Sequence, residues 1–192
     1  MLFRIVACSL FIILSFSPVS AECLKGDCNN FNGIFEFPDG STYRGTFKNS
    51  QMHGYGVLIY TDGTQYEGNM FNGKFHGKGA ISYPSGSKYK GDFVMGRKQG
   101  FGAYHYKDGS IYKGDFANDK QEGAGTLEYA NGSSYKGEFQ DNLPHGNGIF
   151  TYADGTIFRG KYENGKRKGP GIFFYASGTE KSVQYANGKL VE

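Results

Sequence analysis

Apolar and polar residues alternate along short stretches of the chain, as in Tyr66-Glu67-Gly68-Asn69-Met70 and in Gly77-Lys78-Gly79-Ala80-Ile81-Ser82-Tyr83. A period of two over so short a run marks a half-buried β-strand, and no helical period is sustained anywhere. The pattern predicts one strand over residues 64–70 and a second over 77–83, joined by a loop over 71–76. Thr61-Asp62-Gly63 then turns each unit into the next. A two-residue turn at Asp62-Gly63 would set Tyr66 opposite position 59, whose equivalents Ile59, Ser82, His105, Glu128, Thr151 and Phe174 share no character. A three-residue turn with Gly63 left-handed pairs Tyr60 with Thr64, Leu58 with Tyr66 and Gly56 with Gly68, which sets like against like.

The same skeleton returns every 23 residues. One aromatic column runs Tyr43, Tyr66, Tyr89, Tyr112, Tyr135 and Phe158, and a second runs Tyr60, Tyr83, Tyr106, Tyr129 and Tyr152. Two places after the first column stand Gly45, Gly68, Gly91, Gly114, Gly137 and Gly160. The second glycine of a G-x-G pair follows in each copy at Gly56, Gly79, Gly102, Gly125, Gly148 and Gly171. A fixed period of this length means an array in which each unit packs on its neighbours. The predicted fold is therefore all-β: an elongated, single-layer antiparallel array of β-hairpins, about 9.6 Å per repeat and roughly 60 Å long.

Glycine weakens a strand unless something needs the space. Here the facing glycines form a floor on which the neighbouring rings lie. Both aromatic columns then share one face, and a single layer cannot bury them all, so the whole row reads as an exposed binding surface. The opposite face is polar. Arg44, Glu67, Lys90, Lys113, Lys136 and Arg159 form one column beside Thr46, Asn69, Asp92, Asp115, Glu138 and Lys161, and two such stripes should compensate each other.

Written as Y-x-G-x-F/M-x-N-G-K-x-H-G-x-G-x-L/I-x-Y-x-x-G, the unit resembles the MORN (membrane occupation and recognition nexus) repeat over about residues 33 to 188. The tryptophan usual in that family at the Phe47 column is absent, with Phe47, Met70, Phe93, Phe116, Phe139 and Tyr162 in its place. That leaves the register intact and changes the groove surface. The resemblance implies a hairpin-repeat fold without fixing a function, because such repeats decorate many unrelated proteins.

The ends differ from the array. Arg4, the apolar run 5–16 and Pro18-Val19-Ser20-Ala21 read as a signal peptide over residues 1–21, giving an exported chain. Cys8 leaves with it. Cys23 and Cys28 remain and should pair as a disulfide in an N-terminal cap over 22–32. The array and its C-terminal cap fill residues 33–192, where Lys181 and Val183 replace the column Tyr and Gly. About 170 residues amount to one domain, with no room for a catalytic one. Lys and Arg number 21 against 18 Asp and Glu, and loss of Arg4 brings the two closer, so nothing calls for nucleic acid.

His53, His76 and His145 share one column, but units about 9.6 Å apart cannot share an ion whose bonds are near 2 Å. A loop-closing hydrogen bond is expected of them instead. No nucleophile–base pair recurs and no glycine loop leads from a strand into a helix, so the residues call for neither enzyme activity nor a cofactor. The function class that follows is an exported scaffold whose aromatic row anchors a protein partner. Membrane association through anionic lipid headgroups, implied by the resemblance, and glycan or cell-wall binding are the alternatives. The open end strands also allow end-to-end self-association.

Overall fold

The computed structural model describes residues 21–191, so the leader expected over 1–21 falls almost wholly outside the described residues. Among these, sixteen strands and no helix occur. The first six are β1 (Glu22–Gly26), β2 (Asn32–Glu36), β3 (Thr42–Lys48), β4 (Gln51–Ile59), β5 (Gln65–Phe71) and β6 (Lys74–Ser82). The next five are β7 (Lys88–Val94), β8 (Arg97–His105), β9 (Ile111–Ala117), β10 (Lys120–Glu128) and β11 (Ser134–Gln140). The last five are β12 (Leu143–Thr151), β13 (Ile157–Glu163), β14 (Lys166–Phe174), β15 (Glu180–Ala186) and β16 (Lys189–Leu190). They pair strictly in sequence order as one open antiparallel sheet, which is the predicted hairpin array.

The three-residue turn is also as predicted. Tyr60 N donates to Thr64 O at 2.8 Å, Gly63 has φ +85°, and Leu58 faces Tyr66 while Gly56 faces Gly68. Repeated through the array, this register aligns the two glycine columns into one unbroken ladder from Gly45 to Gly171. Val183 then pairs with Gly171 and is buried, ending the ladder. At the other end the Cys23–Cys28 disulfide forms, with S–S 2.08 Å, and β1 joins the sheet, so pairing begins before residue 33.

The expected loop over 71–76 is not a loop. The turn is only Asn72-Gly73, both left-handed (φ 48° and 74°), as the tight hairpin that fits the twist of its strands requires. Strands run to the tip because a bulge absorbs the extra length. Pairing passes from Gly68–Gly79 to Met70–Phe75, leaving Asn69 opposite His76, Gly77 and Lys78. Gly77 takes φ +66° there, so the two glycines of each G-x-G pair do different work: the first bends the strand and the second lies under a ring. The histidine column sits in this bulge. Its Nδ1 atoms in His53, His76 and His145 are buried without a hydrogen-bond partner, so the expected loop-closing bond is not made. The rings of His53 and His76 pack against Phe71 instead, at 5.3 and 5.5 Å.

Candidate functional site

The bend at the bulge decides which rings reach the surface. Tyr66 lies over the Gly68–Gly79 pair, where a Cβ on either glycine would come within 2.7 Å of its hydroxyl. The hairpin tip folds over its other side, so that Phe75 stacks on it at 3.7 Å with 7° between planes. Side walls come from the column four residues on. Tyr89 is held edge-to-face between Phe93 (5.1 Å) and Phe116 (5.0 Å), and Tyr112 between Phe116 (5.3 Å) and Phe139 (4.9 Å). Each wall is shared by two repeats, which ties neighbours together. The column hydroxyls close the box by donating to the backbone oxygen three residues on, as Tyr89 does to Asp92 at 3.0 Å and Tyr112 to Asp115 at 2.9 Å.

The first aromatic column is therefore the core and not a binding row. Tyr43, Tyr66, Tyr89, Tyr112 and Tyr135 are 0% exposed and Phe158 1%. The expectation of exposure fails because the hairpin tips bend back over the sheet, laying Phe75, Lys98 and Arg167 over the rings of Tyr66, Tyr89 and Phe158. The same burial corrects the reading of the Phe47 column. All six of its residues are buried, so the missing tryptophan changes the interior and not a groove surface. Burial pushes the Tyr43 phenol up to about 12 and raises those of Tyr66, Tyr89, Tyr112 and Tyr135 as well.

The second column behaves otherwise. Tyr60 is 36% exposed, and Tyr83, Tyr106, Tyr129 and Tyr152 are half-buried. Between them stand rings that the alternation did not single out. Tyr104, Phe150 and Phe173 occupy the column of Leu58, which otherwise holds Phe35, Ile81 and Leu127. The result is a chain of contacts at the surface: Tyr83 to Tyr104 (6.2 Å), Tyr104 to Tyr106 (4.6 Å), Tyr129 to Phe150 (5.8 Å), Phe150 to Tyr152 (4.8 Å) and Tyr152 to Phe173 (6.3 Å).

Beside this row run the residues that cover the core. Met52, Phe75, Lys98, Gln121, Pro144 and Arg167 all hold the same place in their repeats. Lys98 Nζ lies 5.2 to 5.6 Å from the ring centres of Tyr83, Tyr89 and Tyr104, and burial lowers its pKa. Gln121 Nε2 donates to Tyr106 Oη at 2.5 Å. The alternation does not single out these covers, because they differ in kind from repeat to repeat and nothing in the strand register says that they reach across a ring. On the opposite face no ion pair among the described residues joins the two stripes directly. Asp115 and Glu138 accept from bulge N–H groups of Ala124 and Asn147, and Asp92 pairs with Lys78 at 2.7 Å.

Solved structures of the same fold exist. The chain is similar to the SAS-4 (dCPAP) TCP domain of Drosophila melanogaster in complex with a proline-rich motif of Ana2 (dSTIL), at 13% identity and TM-score 0.55, over 95% of this chain and 96% of that one. It is also similar to the TCP10 domain of Danio rerio CPAP in complex with a peptide of Danio rerio STIL, at 11% identity and TM-score 0.51, over 84% and 82%. At these identities the likeness is one of fold. No curated protein sequence matches the chain significantly. The MORN repeat profile matches six consecutive units, residues 43–65, 66–88, 89–111, 112–134, 135–157 and 158–180, in the register set by the column tyrosines. With those six units covering most of its length, the chain belongs to the MORN repeat family.

Proposed function

We propose that the chain is a non-catalytic, exported scaffold that binds an extended segment of a protein partner along the half-buried aromatic row. The observation that carries this reading is the row itself: rings in contact from Tyr83 to Tyr106 and from Tyr129 to Phe173, each only partly buried. A contiguous apolar surface of half-buried rings is what a partner segment needs for anchors. Two solved structures that share the fold hold, by their descriptions, a proline-rich motif and a peptide. The disulfide at Cys23–Cys28 supports export, because such bonds persist in oxidising compartments.

The test is a selection of random peptides on the intact chain, followed by affinity measurements on variants. Tyr106→Ala with Tyr129→Ala should weaken the selected peptides by about 2 kcal/mol or more. Changing Lys90, Lys113 and Lys136 together to Glu, on the other face, should alter affinity by less than about 1 kcal/mol. The reverse ranking, or binding to anionic vesicles or glycan that the lysine triple abolishes, would overturn the choice of face and of partner class.

A further inference from the structure

Arg167 is the cover residue of the last complete repeat, and it is a cation with no anion. Its Nη2 donates to Tyr152 Oη at 2.5 Å and its Nη1 to Tyr185 Oη at 3.0 Å. Its guanidinium carbon lies 4.0 Å from the ring centre of Phe158 and 5.3 Å from that of Phe173. None of the ion pairs among the described residues includes it. Rings and phenols stabilise a guanidinium only in part, and its planar fork of five donors suits a carboxylate held through two parallel bonds.

A cavity of about 320 Å³ opens beside it, lined among others by Tyr129, Phe150, Tyr162 and Tyr185. The charged lining residues are Lys166 and Arg167, with no acid among them. Tyr162 is only 7% exposed, and its hydroxyl lies against the Arg167 guanidinium without a well-aligned hydrogen bond. A buried unsatisfied hydroxyl is costly and marks a place where something is missing. Arg167, whose hydrogen-bond partners are phenols alone, and the Tyr162 hydroxyl line the same space, and no acid lines it with them.

Resting on the proposed peptide-binding role, we infer that the bound segment carries an Asp or Glu whose carboxylate enters this cavity and is held by Arg167 and Tyr162. A side-chain carboxylate fits better than a chain terminus, because the aromatic row continues on both sides of the cavity, through Tyr129 on one and Phe173 and Tyr175 on the other. The segment therefore runs past Arg167 and presents the acid inward.

The experiment uses the full chain and a library of random peptides with both ends blocked. Peptides selected on the parent should share one acidic residue at a fixed spacing from their apolar anchors. Changing that Asp to Asn, or Glu to Gln, should weaken binding about 10- to 100-fold, the range of one charge-assisted hydrogen-bond pair. Arg167→Met should give the same loss in the protein, and the two changes together should cost little more than either alone. Met is chosen because Met52 holds the equivalent place in the first repeat and packs against the core there. If that variant failed to fold, the peptide-side change on the unaltered chain would still decide. Selected peptides with no shared acid, or an acid whose loss matters equally with Arg167→Met, would overturn the inference and leave the scaffold standing. Failure of the parent to select any peptide would overturn both.

Discussion

Replacing Tyr112 by Ala should cost about 3–5 kcal/mol of stability, the range for emptying a buried aromatic site. The ring is 0% exposed and its walls, Phe116 and Phe139, belong to two successive repeats, so the void loosens the packing of both. At roughly 2–4 °C per kcal/mol for a chain of this size, thermal unfolding should fall by on the order of 10 °C. Tyr112→Phe should cost only about 1 kcal/mol, the value of the lost hydroxyl bond to Asp115 O. Phe158 already fills the equivalent place without a hydroxyl, and it too is buried. Tyr106→Ala, on the open row, should fall well short of the Tyr112→Ala loss. Equal losses for Tyr112→Ala and Tyr106→Ala in a melting experiment would mean that the two columns do not divide into core and surface.

The second large effect belongs to the glycine ladder. A Cβ on Gly114 would meet Tyr112 Oη at 2.5 Å, Ala124 O at 2.6 Å and Gly125 Cα at 2.6 Å. Two of those neighbours are backbone of the adjacent strand, and the third is the end of a ring that is boxed in. Nothing near Gly114 can give way cheaply, so Gly114→Ala should cost about 3 kcal/mol, the upper end for overpacking. Gly86 makes the contrast. It needs a left-handed backbone, with φ +91°, but nothing lies within 4 Å of its would-be Cβ. Gly86→Ala should therefore cost only the backbone penalty of about 1–2 kcal/mol. Denaturant unfolding of the two variants compares them directly, and a milder effect at Gly114 would show that the rings do not rest on the ladder.

Most of the fold was legible because the repeat isolates its own constraints. The left-handed Gly63, the pairing of Leu58 with Tyr66 and the facing of Gly56 and Gly68 follow from asking which register sets like residues together. The disulfide followed from the two cysteines beyond the expected leader. What escaped was the bend. Asn72-Gly73 is the tight hairpin signal, but the H-G-x-G stretch after it obscured a strand that continues through a bulge at Gly77. Without that bend Tyr66 looks open to solvent; with it Phe75 is a lid. The candidate site was legible only by half for the same reason. Tyr83, Tyr106, Tyr129 and Tyr152 were found as a column, while Lys98, Gln121 and Arg167 vary too much between repeats to announce a shared position. Their role comes from three-dimensional reach, which period and alternation do not encode.

The central point, that a single-layer sheet seals its first tyrosine column and leaves the second at the surface, can be tested by titrating the phenols. Free tyrosine ionises near 10, and burial holds Tyr43 up to about 12, with the same direction at Tyr66, Tyr89, Tyr112 and Tyr135. Because the fold favours the neutral phenol, this stabilisation is fully present below the unfolded value of about 10 and is lost as pH rises through the folded one. Phenolate absorbance and the circular dichroism of the sheet should be followed together on raising the pH. Of the fifteen tyrosines these five should stay protonated longest, after Tyr60, Tyr83, Tyr106 and Tyr129, which partial burial raises less far, and should ionise only as the sheet signal collapses, in one cooperative step. Reversible ionisation of all fifteen near pH 10, with the sheet intact, would show that the column is open to water and contradict the arrangement described.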